Sequence, residues 1–316
     1  EQNFPKPIVI HFFYEFGYFC NDLNHLIKDK KPLALLIEYE EYEVKDIFKY
    51  EGEDIFEFDG VTIPDFDKYH EKFKKVYQHL VDGDCYQVNL TIPIILRMKE
   101  FIEPKQILQH VWKDSLKVGA YAHGTYCHAM DKFFLSNSPE CLFQVTTEGD
   151  DYKIQSLPIK GTVHVEDENK RDEAWQNLVN SKKDQAELYM ITDLMRNDLS
   201  KISFTPSKVL KKKCPLNVPG LIHQFSVIET RLERGISIRD IALNIFPGGS
   251  ITGAPKKKVM EIIKQVEKYD RSFYCGSTIL LFGNKKSASI NIRSAEINYS
   301  ENEVVYGSGG GVTLLS

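Results

Sequence analysis

Segments with strand character follow one another along the middle of this chain without helices between them. Residues 118–126, 133–136 and 141–147 form one such series, and the strand-like residues 152–155 come directly after it. Helical patterns lie in separate segments, so strict alternation of strand and helix is absent. This arrangement predicts an α+β fold whose long strands pair in antiparallel fashion, and it argues against a doubly wound parallel sheet.

Helices are indicated where apolar residues recur at a spacing of three or four. The clearest follows Asp65, a typical N-cap residue, and ends before Gly83. Further helices are predicted at residues 105–115, 167–181, 184–195, 238–244 and 255–266. Further strands are predicted at residues 8–14, 33–37, 85–96, 221–230, 274–282, 288–297 and 304–307.

Composition argues against several classes of protein. The 316 residues carry a formal net charge of −5, whereas non-specific nucleic-acid binding needs a basic surface. No apolar stretch reaches the ~18 residues of a membrane span, and no secretory signal precedes the first strand. The six cysteines include no Cys-x-x-Cys pair, which favours reduced thiols and a cytoplasmic location.

One lysine lies inside a short turn that follows the strand at residues 152–155. Pro158 and Gly161 bracket Lys160 within the sequence Ser-Leu-Pro-Ile-Lys-Gly-Thr at residues 156–162. A lysine in a desolvated pocket can lose its proton and act as a nucleophilic amine. Taken alone, however, a solvated surface lysine is the commoner arrangement.

Two carboxylates could form part of a cation site. Asp184 and Glu187 are three residues apart and project from one face of the helix predicted at residues 184–195. Their oxygens suit a hard cation such as Mg²⁺. Exposed carboxylates that bind nothing are the simpler alternative.

Two glycine-rich stretches could bring backbone close to a ligand. The sequence Phe-Pro-Gly-Gly-Ser-Ile-Thr-Gly-Ala-Pro at residues 246–255 leads into a helix, whose free N–H groups could attract an anion. It lacks the Lys-Ser/Thr of a nucleotide-binding P-loop, and an ordinary capped helix explains it equally well. The second stretch, residues 307–312, begins like a dinucleotide fingerprint but has Val312 at the third glycine position.

Arg293 follows the alternating segment Ile290-Asn-Ile within the otherwise apolar strand predicted at residues 288–297. An arginine at such a place could bind a carboxylate through two parallel hydrogen bonds. An arginine that faces solvent is locally the commoner arrangement.

Taken together, these motifs resemble the chorismate-utilising enzymes, a family that includes anthranilate synthases and aminodeoxychorismate synthases. The resemblance covers roughly residues 65–316, and eight blocks occur in the family's order. They are Gly83-Asp-Cys-Tyr-Gln-Val-Asn-Leu, Ser138-Pro-Glu, Pro158-Ile-Lys-Gly-Thr, Lys183-Asp-Gln-Ala-Glu, Asp193-Leu-Met-Arg-Asn-Asp-Leu, His223-Gln-Phe-Ser, Pro247-Gly-Gly-Ser-Ile-Thr-Gly-Ala-Pro-Lys and Gly309-Gly-Gly-Val.

Two positions distinguish between the family's reactions. Anthranilate synthases carry alanine where this chain has Lys160, whereas aminodeoxychorismate synthases carry lysine. Isochorismate and salicylate synthases have a water-activating lysine at the position of Gln87. The resemblance therefore implies amination of chorismate to 4-amino-4-deoxychorismate, for para-aminobenzoate and folate synthesis, with ammonia from solution or from a glutamine amidotransferase partner.

The resemblance also implies roles for single residues. Lys160 would form a covalent intermediate with chorismate, Glu140 would act as general acid and base, and His223 would lie beside them. Ser207 would lie near the lysine. Glu187, with Asp184 nearby, would be a ligand of Mg²⁺. The implied substrate-binding residues are Gly161, Thr162, Thr252, Tyr274, Arg293, Gly309, Gly310 and Gly311.

The implied fold is one large α+β domain with two packed β-sheets flanked by helices. Residues 1–64 would form a short strand-rich region packed on a chorismate-binding catalytic domain at residues 65–316. Leu315 stands where relatives have an aspartate of the metal site, so we expect a C-terminal tail to be missing. An anthranilate synthase component and a non-catalytic chorismate-binding subunit remain the alternatives.

Overall fold

Two antiparallel β-sheets form the frame of the fold in a computed structural model that describes residues 4–28, 31–45, 56–148, 151–232 and 235–316. The strands are β1 (Phe4–Phe12), β2 (Ala34–Glu38), β3 (Phe58–Thr62), β4 (Gln87–Met98), β5 (His123–Cys127), β6 (Lys132–Ser136), β7 (Cys141–Glu148), β8 (Asp151–Leu157), β9 (Ile159–His164), β10 (Lys208–Val218), β11 (Leu221–Arg231), β12 (Gly253–Ala254), β13 (Ser277–Gly283), β14 (Lys285–Ile290), β15 (Ser294–Asn298) and β16 (Glu303–Val312). The α-helices are α1 (Phe16–Cys20), α2 (Phe66–Val81), α3 (Pro104–Val111), α4 (Arg171–Asn180), α5 (Lys182–Ser200), α6 (Ile238–Ile245) and α7 (Lys256–Glu267).

The two sheets divide these strands between them. Within the described residues, the first sheet has nine strands in the order β10-β11-β8-β7-β14-β13-β1-β2, with β9 paired to β11. The second has seven strands in the order β12-β4-β16-β15-β6-β5, with β3 paired to β4. The pairings are antiparallel, as between β4 and β16 or β13 and β14. The predicted α+β class with two sheets and flanking helices is therefore confirmed.

Apolar side chains join the sheets to each other and to the helices. The main cluster combines residues of both sheets with α2, α5, α6 and α7, among them Val76, Leu90, Ile191 and Ile279. Ile107 of α3 packs in a second cluster against the seven-stranded sheet. A third, smaller cluster lies between the sheets and includes Phe13, Phe134 and Phe273.

Helix starts follow the capping residues in the sequence. Asp65 accepts a hydrogen bond from the N–H of Asp67 at the start of α2. Ser181 does the same for Asp184 at the start of α5, which is two residues earlier than the sequence pattern indicated. In the described part of the chain, no helix combines the length and the apolar character needed to cross a bilayer.

The strand predicted at residues 288–297 is wrong. β14 ends at Ile290 in the nine-stranded sheet and β15 begins at Ser294 in the seven-stranded sheet. The connecting residues 291–293, here called the crossover, carry the chain from one sheet to the other. Arg293 has φ +51° there, a left-handed conformation that ends a strand. Apolar periodicity missed the break because residues on both sides of it are buried.

Several further strands differ from the sequence pattern, among them β3 and β9, which were not predicted. β10 was not predicted, because its three consecutive lysines at 211–213 mask the strand pattern; lysines are common on edge strands, where they discourage pairing with other chains. β16 extends five residues beyond the predicted strand and includes Gly309–Gly311 in its pairing with β4. β1 and β2 pair within the nine-stranded sheet, and the boundary between residues 64 and 65 stays a prediction.

Candidate active site

A cavity of about 360 Å³ lies where the two sheets and several loops meet. This volume is within the range of small-molecule sites. The cavity is lined by residues of β9 and β11, by the strands β4 and β16, and by loops. The lining residues are Asn89, Pro139, Glu140, Ile159, Lys160, Gly161, Thr162, His223, Ser250, Ile251, Tyr274, Ile292, Arg293, Tyr306, Gly307, Ser308, Gly309, Gly310 and Gly311.

Lys160 lies on β9 rather than in the predicted turn. Its side chain is half-buried, and its amine reaches the opposite wall of the cavity. The Nζ atom donates a hydrogen bond to the main-chain oxygen of Ser250 at 3.3 Å. Arg293 also lines the cavity. Among the described residues, no carboxylate forms an ion pair with Lys160 or Arg293. The cavity thus presents two cationic side chains that are available to an anionic ligand.

Glu140 is buried beside Lys160, with 4% of its surface exposed. Ser138 holds the main chain at Glu140 in place: its hydroxyl donates to the main-chain oxygen of Ile290 and accepts from the N–H of Glu140. Burial raises the pKa of the Glu140 carboxyl, and the Ser250 hydroxyl and the charge of Lys160 partly oppose this rise. A carboxyl with a raised pKa can keep its proton near neutral pH and donate it.

His223 lies on β11 directly opposite Thr162 of β9. The Thr162 hydroxyl and Nδ1 of His223 are 2.8 Å apart and form a hydrogen bond. Burial, aided by the charge of Arg293, lowers the pKa of His223, so its ring is neutral at pH 7. Its Nε2 atom is buried and has no hydrogen-bond partner among the described residues.

Gly161 allows β9 to bend next to Lys160. Its φ is +85°, and a Cβ atom would lie 2.7 Å from Nε2 of Gln224. A side chain at this position would therefore be strained and would collide with a buried amide. Asp184 lies just behind, since its Cβ would be 3.1 Å from the same added atom.

Tyr274 and Gly307 form one end of the cavity. The tyrosine ring lies so close to Gly307 that an added Cβ would be 2.0 Å from Cγ of the ring. Gly309 to Gly311 continue the same strand along the cavity and pair with residues 89–91 of β4. A Cβ added at Gly309 would lie 2.7 Å from the Thr91 side chain, and one added at Gly311 would lie 2.9 Å from the Gln87 side chain, so these two glycines allow close approach of neighbouring groups.

The two predicted metal ligands lie outside the cavity lining. Glu187 faces a separate, largely apolar depression that also contains Leu314 and Leu315. Asp184 is bonded to the hydroxyl of Ser181. No group of three or more potential ligands occurs among the described residues. Two carboxylates are nevertheless a usual protein contribution to Mg²⁺, with a bound anion and waters supplying the rest.

Two other predicted residues are not brought to the cavity. The Ser207 hydroxyl is 3.2 Å from the hydroxyl of Ser200, and Ser207 is absent from the cavity lining among the described residues. Thr252 is fully buried, with its hydroxyl donating to the oxygen of Gly248. Their roles stay predictions without support from position.

Ser250 and Asn89 line the cavity, although the sequence assigned them no role. Ser250 belongs to the motif block that begins at Pro247, and Asn89 belongs to the block that begins at Gly83. Their membership in these blocks could have indicated that they lie near the site. The predicted anion site at the start of α7 differs as well. The cavity contacts Ser250 and Ile251, which precede α7 by several residues, rather than the first turn of the helix.

The sequence matches a known protein family and several curated proteins. The family model described as "chorismate binding enzyme" matches residues 23–316. The chain is 35% identical over 252 residues to aminodeoxychorismate synthase component 1 of Salmonella typhimurium, which is 79% of this chain and 53% of that protein. It is 34% identical over 229 residues to an anthranilate synthase component 1 of Haloarcula marismortui, 72% of this chain and 44% of that protein. The chain therefore spans about half the length of the curated relatives it matches.

Comparison with solved structures gives the same fold. Anthranilate synthase component I from Streptococcus pneumoniae matches with a TM-score of 0.82 at 18% identity, over 99% of this chain and 77% of that one. The menaquinone-specific isochorismate synthase of Escherichia coli matches with a TM-score of 0.71 at 16% identity, over 90% of this chain and 67% of that one. At such identities, the likeness shows the fold alone.

Proposed function

Because the chain belongs to the family of chorismate binding enzymes, we propose that it binds chorismate in this cavity and aminates it to 4-amino-4-deoxychorismate. The proposed product is a precursor of para-aminobenzoate and folate. Sequence identity of 32–35% to proteins named aminodeoxychorismate synthase component 1 supports this choice of reaction.

The observation that carries the proposal is the pairing of two cations with a proton donor and a neutral imidazole in one cavity. Chorismate is a dicarboxylate, and Lys160 and Arg293 face the cavity without carboxylate partners among the described residues. Arg293 is the proposed clamp for one carboxylate, because a guanidinium can donate two parallel hydrogen bonds. Tyr274 and the glycines of β16 would shape the same end.

Lys160 is the proposed nucleophile and Glu140 the proposed acid. The Lys160 ammonium first gives its proton to solvent. The neutral amine then adds to the ring while the hydroxyl departs as water with the proton of Glu140. Ammonia then displaces the lysine, so the net reaction exchanges the hydroxyl for an amine. His223, held at Nδ1 by Thr162, has Nε2 free to bond the substrate.

Mg²⁺ and a source of ammonia complete the proposal. Glu187, with Asp184 one turn before it, would hold the ion, which would supply positive charge when bound. Ammonia would come from solution or from a glutamine amidotransferase partner. Similarity to a component 1 protein supports a partner component.

Anthranilate formation is the second candidate, because a Haloarcula marismortui anthranilate synthase component is 34% identical. Lys160 argues against it, because the family resemblance implies alanine at this position in anthranilate synthases. A non-catalytic subunit that only binds chorismate is the third.

Product identification separates these candidates. The purified chain is incubated with chorismate, ammonium and MgCl₂, and the products are analysed by chromatography with mass detection. We expect 4-amino-4-deoxychorismate in the wild type and none above background in Lys160→Ala. Anthranilate as the product would overturn the proposed reaction. Binding of chorismate without turnover, in the presence of ammonium and Mg²⁺, would instead identify a non-catalytic subunit.

A further inference from the structure

Four polar side chains form a connected row between the two sheets, at a distance from the cavity lining. His11 of β1, Thr278 of β13, Ser289 of β14 and Asn291 at the start of the crossover are here called the polar ladder. His11 lies opposite Thr278 and Thr278 opposite Ser289 in adjacent strands, so their side chains share one face of the nine-stranded sheet. None of the four is more than 6% exposed.

Hydrogen bonds connect the ladder from end to end. Nδ1 of His11 is 2.8 Å from the Thr278 hydroxyl, which donates to Oδ1 of Asn291 at 3.0 Å. The Ser289 hydroxyl donates to the same Oδ1 at 3.1 Å. Because the single hydroxyl proton of Thr278 goes to Asn291, His11 must carry its proton on Nδ1 and donate it to Thr278. In this arrangement, Nε2 of His11 and Nδ2 of Asn291 are buried without a hydrogen-bond partner among the described residues.

The surroundings of the ladder are mainly aromatic. The His11 ring lies 5.5 Å from the rings of Phe134 and Phe273 and stacks on His123 at 5.9 Å. Buried polar groups of this kind add little net stability, and apolar residues of similar shape would pack at least as well. Their effect is specificity, since they favour the backbone course in which the hydrogen bonds of His11, Thr278 and Ser289 reach Asn291 together.

That backbone course is the crossover that presents Arg293. The main chain of Asn291 is held as well: its N–H donates to the oxygen of Gly276, and its oxygen accepts from Cys275 N–H and the Ser294 hydroxyl. Two residues later, Arg293 takes a φ of +51°. A non-glycine residue keeps such a conformation only when its surroundings impose it. Asn291 is fixed on both its side chain and its main chain, and it is close enough in the chain to impose it.

We propose that Asn291 is a positioning residue: through the polar ladder it fixes the crossover and so holds Arg293 toward the substrate carboxylate. This inference rests on the proposed function, because it takes Arg293 as the carboxylate clamp. Asn291 and the rest of the ladder do not line the cavity among the described residues, so their effect is on binding rather than on the reacting atoms.

Thr278→Val tests the ladder, since valine has nearly the shape of threonine but cannot join His11 to Asn291. Without the Thr278 hydroxyl, a smaller fraction of molecules holds Arg293 in the binding orientation. The apparent affinity for chorismate falls in proportion to that fraction. We expect KM for chorismate to rise about tenfold with kcat within twofold, because Lys160, Glu140 and His223 are untouched. Thr278→Ser, which keeps the hydroxyl, should restore KM to near the wild-type value.

Thr192→Val is the matched control, because the Thr192 hydroxyl on α5 is also buried but has no partner among the described residues. It should leave KM and kcat unchanged. Ser289→Ala is the second test variant, which removes the other donor to Asn291 and should raise KM less. An unchanged KM in both Thr278→Val and Ser289→Ala, or a fall in kcat alone, would overturn the proposal.

Hydrogen exchange of residues 291–295 without substrate separates this inference from the proposed function. We expect these amides to exchange at least about tenfold faster in Thr278→Val than in the wild type or Thr192→Val. Equal exchange would mean that the ladder does not fix the crossover, whatever the enzyme's substrate. A wild type that neither binds nor converts chorismate would refute the function, while the exchange data would still decide whether the ladder holds the crossover.

Discussion

The amine of Lys160 and the main-chain oxygen of Ser250 lie 3.3 Å apart and form a hydrogen bond across the cavity. This contact joins β9 to the glycine-rich loop before α7, two segments that are ninety residues apart in sequence. It leaves the amine inside the cavity, beside the buried carboxyl of Glu140, rather than in bulk solvent.

Replacement of Lys160 should abolish amination without unfolding the protein. Lys160→Ala removes the nucleophile, and we expect the rate to fall by at least about 10²-fold, as for other groups that act on the reacting atoms. Lys160→Arg keeps the positive charge but cannot supply a neutral amine, so it should be equally inactive. Steady-state rates with chorismate and ammonium provide the measurement. Substantial activity in Lys160→Arg would show that charge, and not nucleophilicity, is what the position requires.

Glu140→Gln should lower the rate of amination and raise the thermal stability at alkaline pH. The amide cannot donate a proton to the departing hydroxyl, so the rate should fall by roughly 10²–10⁴-fold. The pKa of the Glu140 carboxyl is raised above 4.5 by burial. As pH rises past 4.5, the unfolded state therefore loses this proton before the native state does, and the native state becomes relatively less stable.

Glutamine carries no such penalty because it does not ionise. The variant should match the wild type in Tm at pH 4 and exceed it at pH 8, in thermal unfolding at both values. A Tm difference that is the same at pH 4 and pH 8 would contradict the raised pKa.

Gly307→Ala should disturb the cavity by displacing Tyr274. The added methyl carbon would lie 2.0 Å from the tyrosine ring, and overpacking of this kind costs about 1–3 kcal/mol. Gly310→Ala is the control for stability, since no atom lies within 4 Å of a Cβ built there; its free energy of unfolding should change by less than ~0.5 kcal/mol. Urea unfolding of the two variants tests this difference, and equal destabilisation would refute it.

Arg271 should be among the residues that stability depends on most. Its guanidinium is bonded to both oxygens of Glu267 and to the main-chain oxygens of Asn89 and Ile251, which line the cavity. The side chains of the ion pair are 1% and 0% exposed. Arg271→Met leaves a buried carboxylate without its partner, which typically costs about 3–5 kcal/mol.

The exposed ion pair of Arg196 with Asp193 is the control. Arg196→Met should cost less than ~1 kcal/mol, because solvent already screens that pair. Denaturant unfolding measures both costs, and a loss of stability in Arg271→Met no larger than in Arg196→Met would show that the buried pair contributes little.

The sequence determined the fold class, the main helices and the identity of most cavity residues. Strands without intervening helices favour antiparallel pairing, and a capping residue such as Asp65 acts on its immediate neighbours, so local patterns suffice for both. The motif blocks around Lys160, Glu140 and His223 identified side chains that the fold does bring into one cavity.

Only the tertiary structure decided how those side chains meet and which ones do not. Ser250 reaches Lys160 and Arg293 turns into the cavity because the chain crosses between sheets at residues 291–293, whereas Ser207 is held by Ser200 instead. These outcomes depend on pairings between residues far apart in sequence and on a left-handed residue stabilised from outside its own segment. Neither the distant pairings nor the left-handed residue produces a periodic pattern in the sequence. The spacing of apolar residues indicates which residues are buried, but not which distant residues they pack against.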